Sequence, residues 1–291
     1  MKLRRPNSDI FIRDNEAIPD ALSRTTHMGI GAHQDDLEFF AVHGILECHG
    51  REDRWFTGVT VTDGAGSART GVYKHLSDAE MIQIRRDEQR KAAVIGEYAA
   101  MIQLDYPSAS IKNPDQTDPV EDIHAILTAA RPDVLYVHNP ADKHATHVAV
   151  LARTLTAVRR LPETARPSKI YGCEVWRDLD WLPDTIKIAL PVGQRTNLQA
   201  ALNGVFDSQI TGGKRYDLAV MGRRLAHATF HESHSADKDT GLIFALDLTP
   251  LARDSSLSLE EYTQALITQF SEEVRHNIRA VSQPNFPPGC S

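Results

Sequence analysis

Six consecutive residues, His33-Gln34-Asp35-Asp36-Leu37-Glu38, gather one imidazole and three carboxylates. Adjacent aspartates cannot aim the same way. One can bind a cation while its neighbour faces a bound water, and His33 and Asp36, three apart, can converge on one ion as a helix begins. The plainer reading is that Asp35 and Asp36 cap that helix and favour its positive end. A second cluster, His138-Asn139-Pro140-Ala141-Asp142-Lys143-His144-Ala145-Thr146-His147, sets His144 and His147 at i,i+3 on one helix face. A lone histidine there is more often a satisfied structural residue. Two of them, facing a His-x-x-Asp at another strand end, point to a metal. Two histidines and one carboxylate leave a metal with open coordination positions, and an open position holds and acidifies a water.

Such a site needs elements that bring the two clusters together. Residues 27–32 read as a first strand, followed by a helix over about 37–48. Residues 55–61 read as a β-rich second strand. Ser77-Asp78-Ala79-Glu80 is a capping box that opens a helix to about Ile95, with Gly96 as its stop. Asp118-Pro119 starts another helix, Asp as cap and Pro at the first position, with Val120, Ile123, Leu127 and Ala130 as its apolar stripe. Residues 133–138 form an apolar run suited to a strand buried on both faces. A helix over 142–160 follows, with Val148, Leu151, Leu155 and Val158 on one face.

The second half is less regular. Strands are expected at 170–176, 186–190 and 242–248, and helices at 197–209 and 214–228. Ser258-Leu259-Glu260-Glu261 caps a last helix expected to turn Tyr262, Leu266, Phe270, Val274 and Ile278 inward. The alternation is that of an α/β protein: one Rossmann-like, doubly wound, mostly parallel sheet with C-terminal additions. Ligands in such sheets bind beyond the carboxyl ends of the strands, here just after Ala32, Val61 and Val137. A single domain is expected over 1–291, with an N-terminal arm (1–24), a motif-bearing core (25–160), a substrate-shaping part (161–282) and a Pro-rich tail (283–291).

Composition narrows the function classes. With 32 Lys+Arg against 39 Asp+Glu, the net charge of −7 argues against a general nucleic-acid binder. No apolar run approaches the roughly 18 residues of a membrane span. The basic start, MKLRRPNSDI, is not followed by the apolar stretch of a secretory signal. Cys48, Cys173 and Cys290 are odd in number and share no short spacing, which fits free thiols in a reducing cytoplasm. Histidine rather than cysteine supplies the candidate ligands; of the 13, those other than His33, His144, His147, His231 and His234, with His138 among them, default to structural or solvated roles.

Several stretches match a family pattern in order. Ala32-His33-Gln34-Asp35-Asp36-Leu37-Glu38 is similar to an Ala-His-Pro-Asp-Asp-x-Glu hallmark, with Gln34 in place of Pro. Thr62-Asp63-Gly64-Ala65-Gly66 is similar to a Thr-Asp-Gly loop. Arg85 and Glu88 meet an Arg-x-x-Glu helix pattern, ahead of Ala92-Ala93 and Gly96. His144, His147, Ala149 and Val150 meet a His-x-x-His-x-Ala-Val element, and His231-Glu232-Ser233-His234 echoes a late His-x-Ser-Gln. On these motifs the chain resembles the PIG-L / LmbE-like deacetylases, zinc enzymes that remove N-acetyl groups from glucosamine-containing compounds. The resemblance spans about 28–150, with an echo near 224–234, and leaves 160–223 unmatched.

The resemblance implies an LmbE-like fold and a metal-dependent N-deacetylase. It implies that His33, Asp36 and His147 bind Zn²⁺, that Asp35 is the general base and that His144 is the acid or proton shuttle. Asp63, Gly64, Arg69 and His231 would line the substrate site. Glu38, Arg85, Glu88 and Asp142 would support it, Arg85 and Glu88 as a pair beneath the site and Asp142 by orienting His144. The substrate would be a small N-acetylated amino sugar or glycoconjugate. Fe²⁺ also fits these ligands, and the oligomeric state is open, a homo-oligomer included. Two other readings use the same residues. A non-haem Fe(II) oxygenase shares the two-His-one-carboxylate set but usually has a β-rich scaffold. A non-enzymatic nucleotide-binding module would suit the doubly wound fold, but Gln34 stands where the third glycine of that fingerprint belongs.

Overall fold

The computed structural model describes residues 1–282, so the expected tail at 283–291, with Cys290, lies outside it. The first half runs β1 (Asp9–Phe11), α1 (Ile18–Ser23), β2 (His27–Gly31), α2 (Asp36–Phe40), α3 (Val42–Cys48), β3 (Phe56–Thr62), α4 (Asp78–Ile95), β4 (Ala100–Tyr106), α5 (Ser108–Lys112), α6 (Asp118–Ala130), β5 (Val134–His138) and α7 (Ala145–Arg159). The second half runs β6 (Lys169–Cys173), β7 (Ile188–Pro191), α8 (Thr196–Gly204), α9 (Asp207–Ile210), α10 (Tyr216–Phe230), β8 (Leu242–Asp247), α11 (Thr249–Arg253) and α12 (Leu259–Ser282).

All eight strands join one sheet in the order β1-β4-β3-β2-β5-β6-β8-β7. The five central strands, β4-β3-β2-β5-β6, are parallel. Strand order reverses between β2 and β5, so the chain leaves those neighbouring strands toward opposite faces and opens a crevice between them. Every residue of β3 and β4 is buried, as expected for strands covered on both faces. Antiparallel β1 closes one edge; β8 and β7 extend the other.

The mostly parallel α/β sheet with C-terminal additions agrees with the sequence reading. The capping box of α4 is present: Ser77 Oγ accepts from Glu80 N–H, and the Glu80 carboxylate accepts from Ser77 N–H. Four details differ. Residues 1–24 are more than an arm, since β1 pairs with β4 and Ala21 and Leu22 of α1 are buried. The expected helix over 37–48 is two helices, broken at Ala41. β4 carried no periodicity signal that distinguished it from its helical neighbours. In α12 only Leu266 is buried, and Val274 and Ile278 face outward because the helix leaves the body after its first turns.

Cys48 and Cys173 are free and buried, as the sequence suggested. Burial pushes the Cys48 thiol up to about 12 and Cys173 well above its ordinary value. The thiolate is the reactive form, so both should resist iodoacetamide at neutral pH in the native protein and react fully in denaturant. Peptide mass spectrometry after alkylation checks this; native labelling of either residue contradicts the packing described here.

Candidate metal centre and active site

The switch point gathers the two clusters. Beyond Gly31 the chain is pinned by Ala32: its N–H donates to His138 Nε2 at 2.9 Å, and its carbonyl accepts from Thr62 N–H and Oγ1–H. Asp35 then takes φ +99°, a region L residues rarely occupy. That turn separates the adjacent aspartates. Asp36 swings toward the histidines, its Oδ2 accepting from His33 N–H at 2.7 Å, while Asp35 faces Arg85 at 3.8 Å.

Three donor atoms converge. His33 Nδ1 lies 3.1 Å from His147 Nε2 and 3.3 Å from Asp36 Oδ2, and His147 Nε2 lies 3.5 Å from Asp36 Oδ2. Tetrahedral ligands about 2.0–2.1 Å from Zn²⁺ are roughly 3.3 Å apart, so the triangle fits a small divalent cation. Two wider groupings, His33-His144-His147 and Asp36-His138-His147, also bring ligand atoms within 4.8 Å of one another.

The surroundings set the charges. Burial alone would raise the Asp36 carboxyl, but the facing His147 and His138 outweigh it and hold Asp36 well below the usual range. Asp35 goes the other way: burial pushes it well above the usual carboxylate range, reinforced by Asp36 and Glu38 and opposed by Arg85. Burial drives His33 down to about 4 and lowers His144 as well. His147 is raised, because Asp36 and Asp142 outweigh its burial. Lone pairs free of protons are what a cation needs from His33, and ionisation is what it needs from Asp36.

His138 was read from sequence as structural or solvated. It is fully buried within the site, stacked on His147 with ring centroids 3.9 Å apart and 3.4 Å from Asp36 Oδ2. The usable signal was a histidine ending an otherwise apolar strand at the sheet's carboxyl edge. Asp142 corrects a second expectation. Its Oδ1 lies 3.4 Å from His147 Nδ1 and accepts the backbone N–H of His144, so it faces His147 rather than orienting the His144 ring. A carboxylate behind a histidine fixes the ring's tautomer and aim. The His144 ring stands edge-on to His33, with its Nδ1 unpartnered.

A cavity of about 670 Å³ opens over this centre. Gly64 lines it at φ +77°, where a Cβ would fall 2.4 Å from Gln34 Oε1. Asp63 does not line it; its carboxylate accepts Ala65 N–H and shapes the turn. Arg69 is committed to the same loop through Ala65, Leu76 and Asp78, and His231 packs beside Phe244; neither lines the cavity, nor does His234. Arg85 and Glu88 do not pair. Arg85 donates to the carbonyls of Gln34 and Gly64 and to Ser67 Oγ, whereas Glu88 accepts from Ser208 N–H and Oγ–H of α9. Glu38, within α2, is buried and bonded to Tyr98 and Gln89, and burial lifts it to about 7. Sequence reasoning also missed Arg224 of α10, buried, whose guanidinium donates to the Glu38 and Phe39 carbonyls of α2.

Residues 28–158 match the family model PIG-L, GlcNAc-PI de-N-acetylase. Over that segment, just under half of the chain, the protein is similar to the PIG-L family. No curated protein sequence matches the chain. Among solved structures, the chain is similar to the 4-carboxy-2-hydroxymuconate hydratase of Pseudomonas putida KT2440 (TM-score 0.61, 15% identity, covering 77% of this chain and 96% of that one). It is also similar to the N,N'-diacetylchitobiose deacetylase of Pyrococcus horikoshii (TM-score 0.58, 18% identity, 76% and 83% covered). A third is the A40926 pseudoaglycone deacetylase (TM-score 0.53, 17% identity, 77% and 97% covered). At these identities the likeness establishes the LmbE-like fold, which serves a hydratase as well as deacetylases. The PIG-L segment holds β2, β5 and α7, and with them both clusters.

Proposed function

We propose that this protein is a divalent-cation-dependent N-deacetylase acting on a small amino sugar or glycoconjugate, with Zn²⁺ as the cation and Fe²⁺ as a second metal the donors accept. The observation that carries the reading is the convergence of His33 Nδ1, Asp36 Oδ2 and His147 Nε2 at 3.1–3.5 Å, with Asp35 beside them and a cavity above.

A cation there supplies a more acidic water and a pull on the acyl oxygen. Asp35, turned away from the donors by its own backbone, takes the proton of the attacking water. A proton must reach the amide nitrogen before the C–N bond breaks, and His144, on the cavity wall, delivers it. Asp142 keeps His147 aimed; Arg85 fixes the Gln34 and Gly64 loops around Asp35. Phe39, Tyr216 and Trp176 form a run of touching aromatic rings along the cavity, a surface for a sugar face. The products are acetate and a free amine. We place this activity in the cytoplasm, where free thiols persist.

The test is amine release from a panel of N-acetylated amino sugars by metal-loaded protein, with and without a chelator. Equimolar amine and acetate, lost on chelation and restored by Zn²⁺, are the expected result. Protein that binds a stoichiometric divalent cation yet releases amine from no N-acetyl sugar overturns the reading.

A further inference from the structure

α12 carries an apolar stripe that the body covers only over its first turns. Tyr262 donates its hydroxyl to the Asp247 carbonyl, and Leu266 is buried. Beyond Leu266 the stripe opens to solvent: exposure climbs from 39% at Ile267 and 40% at Val274 to 57% at Ile278 and 86% at Val281, with Phe270 half-buried. Residues 267–282 make about 24 Å of helix, a length that is marginal in water unless an apolar face is covered.

This free stripe is symmetric about Val274. Ile267, Phe270, Val274, Ile278 and Val281 follow in steps of 3, 4, 4 and 3 residues, the same read in either direction. At 3.6 residues per turn, all five fall within about 40° of one line along the helix. The spacing is that of two heptads, the narrow seam of a helix pair. The charges of α12 divide at the same residue. Glu260, Glu261, Glu272 and Glu273 all precede Val274, and Arg275, His276 and Arg279 all follow it. That order suits the helix's own dipole. It also makes α12 complementary to itself reversed. Antiparallel copies bring each acidic half level with a basic half, whereas parallel copies set like beside like.

We propose that α12 is a dimerisation arm that pairs antiparallel with α12 of a second copy of this chain, with Val274 at the two-fold axis. Phe270 then lies level with Ile278 of the partner subunit, and Ile267 with Val281 of the partner subunit. The contact is isologous, the same patch on both chains. The free end of each arm comes level with the point where the other leaves its body, so the two bodies lie at opposite ends of the pair. A lipid surface suits the arm poorly, because its polar residues include four carboxylates against two arginines and no lysine.

Sedimentation velocity of the full chain should show monomer giving way to dimer with a Kd of roughly 1–100 μM, as expected of an interface below standard size. Val274→Glu sets two like charges against each other at the axis and should weaken the dimer by at least about 10-fold. Gln269→Glu, which adds the same charge at an exposed position on the far side of α12, should leave it unchanged. Dilute samples of both variants should melt with the parent, which shows the body intact. Orientation is read by a short thiol cross-linker in a Cys290→Ser background. Val274→Cys should join to its own copy. Ile267→Cys should join to Val281→Cys in a mixture and neither to itself, since antiparallel pairing holds each about 20 Å from its own copy. A chain that stays monomeric well above that Kd range, a dimer that Val274→Glu leaves intact, or self-joining of Ile267→Cys overturns the proposal. Vesicle binding that Val274→Glu abolishes, with no dimer, gives the stripe to a lipid surface and overturns it as well.

Discussion

Asp35→Asn should retain the bound metal and the fold and lose about 10²- to 10⁴-fold in turnover, the usual contribution of a positioned general base. The change is nearly isosteric, and Asp35 is not one of the three converging donors. Metal content by mass spectrometry and turnover on the best substrate read the two effects separately. Unchanged turnover would remove Asp35 from the chemistry. Asp35→Gly adds an independent check. At φ +99° an L residue is strained by roughly 1–3 kcal/mol, and glycine adopts that conformation freely. It also removes a buried carboxylate that burial already disfavours as an anion. The glycine variant should therefore melt higher than the parent while being as inactive as the asparagine variant. A site that costs stability where it works is expected of a catalytic position.

Arg224→Met should cost about 2–5 kcal/mol of stability, the largest loss we expect from one side chain outside the central strands. Arg224 is only 3% exposed, and its guanidinium makes three bonds to oxygen: to the Glu38 carbonyl at 2.7 Å, to the Phe39 carbonyl at 3.1 Å and to Gln199 Oε1 at 2.7 Å. Methionine fills similar volume but leaves those acceptors without donors in a dry interior. Because α2 begins at Asp36, slackening it should also weaken cation affinity, by roughly 10–100-fold if Arg224 acts as other supporting groups around metals do. Urea midpoints and competitive chelator titrations measure the two effects. A loss under about 1 kcal/mol with unaltered affinity would show that α2 is held by its own packing.

The parts of the site legible in the sequence were those tied to short-range pattern. His33, Asp35, Asp36, His144 and His147 sit within two windows, and the alternation of apolar runs placed those windows at strand ends. The partners of each side chain were not legible. Asp142 is two residues from His144, which made that histidine the natural guess, yet its carboxylate accepts the His144 backbone N–H and faces the His147 ring instead. Arg69 sits in a loop near the cavity, but its guanidinium is bound to the Ala65 and Leu76 carbonyls and the Asp78 carboxylate. His138 and Arg224 owe their roles to contacts with residues 106 and 186 positions away, which no local pattern records. The apolar stripe of α12 was read correctly as a stripe and wrongly as inward, because periodicity names a face without naming what it meets.

The triangle of donors has a mechanical side. His33 and His147 are 114 residues apart in the chain, and the atoms that would hold the ion come from the connections leaving β2 and β5. A cation seated there is a rivet through two separate crossovers of the sheet. It closes a loop that holds β3, β4, β5 and the helices α2 to α6, and closing so long a loop removes freedom mainly from the unfolded chain. Metal supply would then govern how long the folded protein survives as well as how fast it turns over.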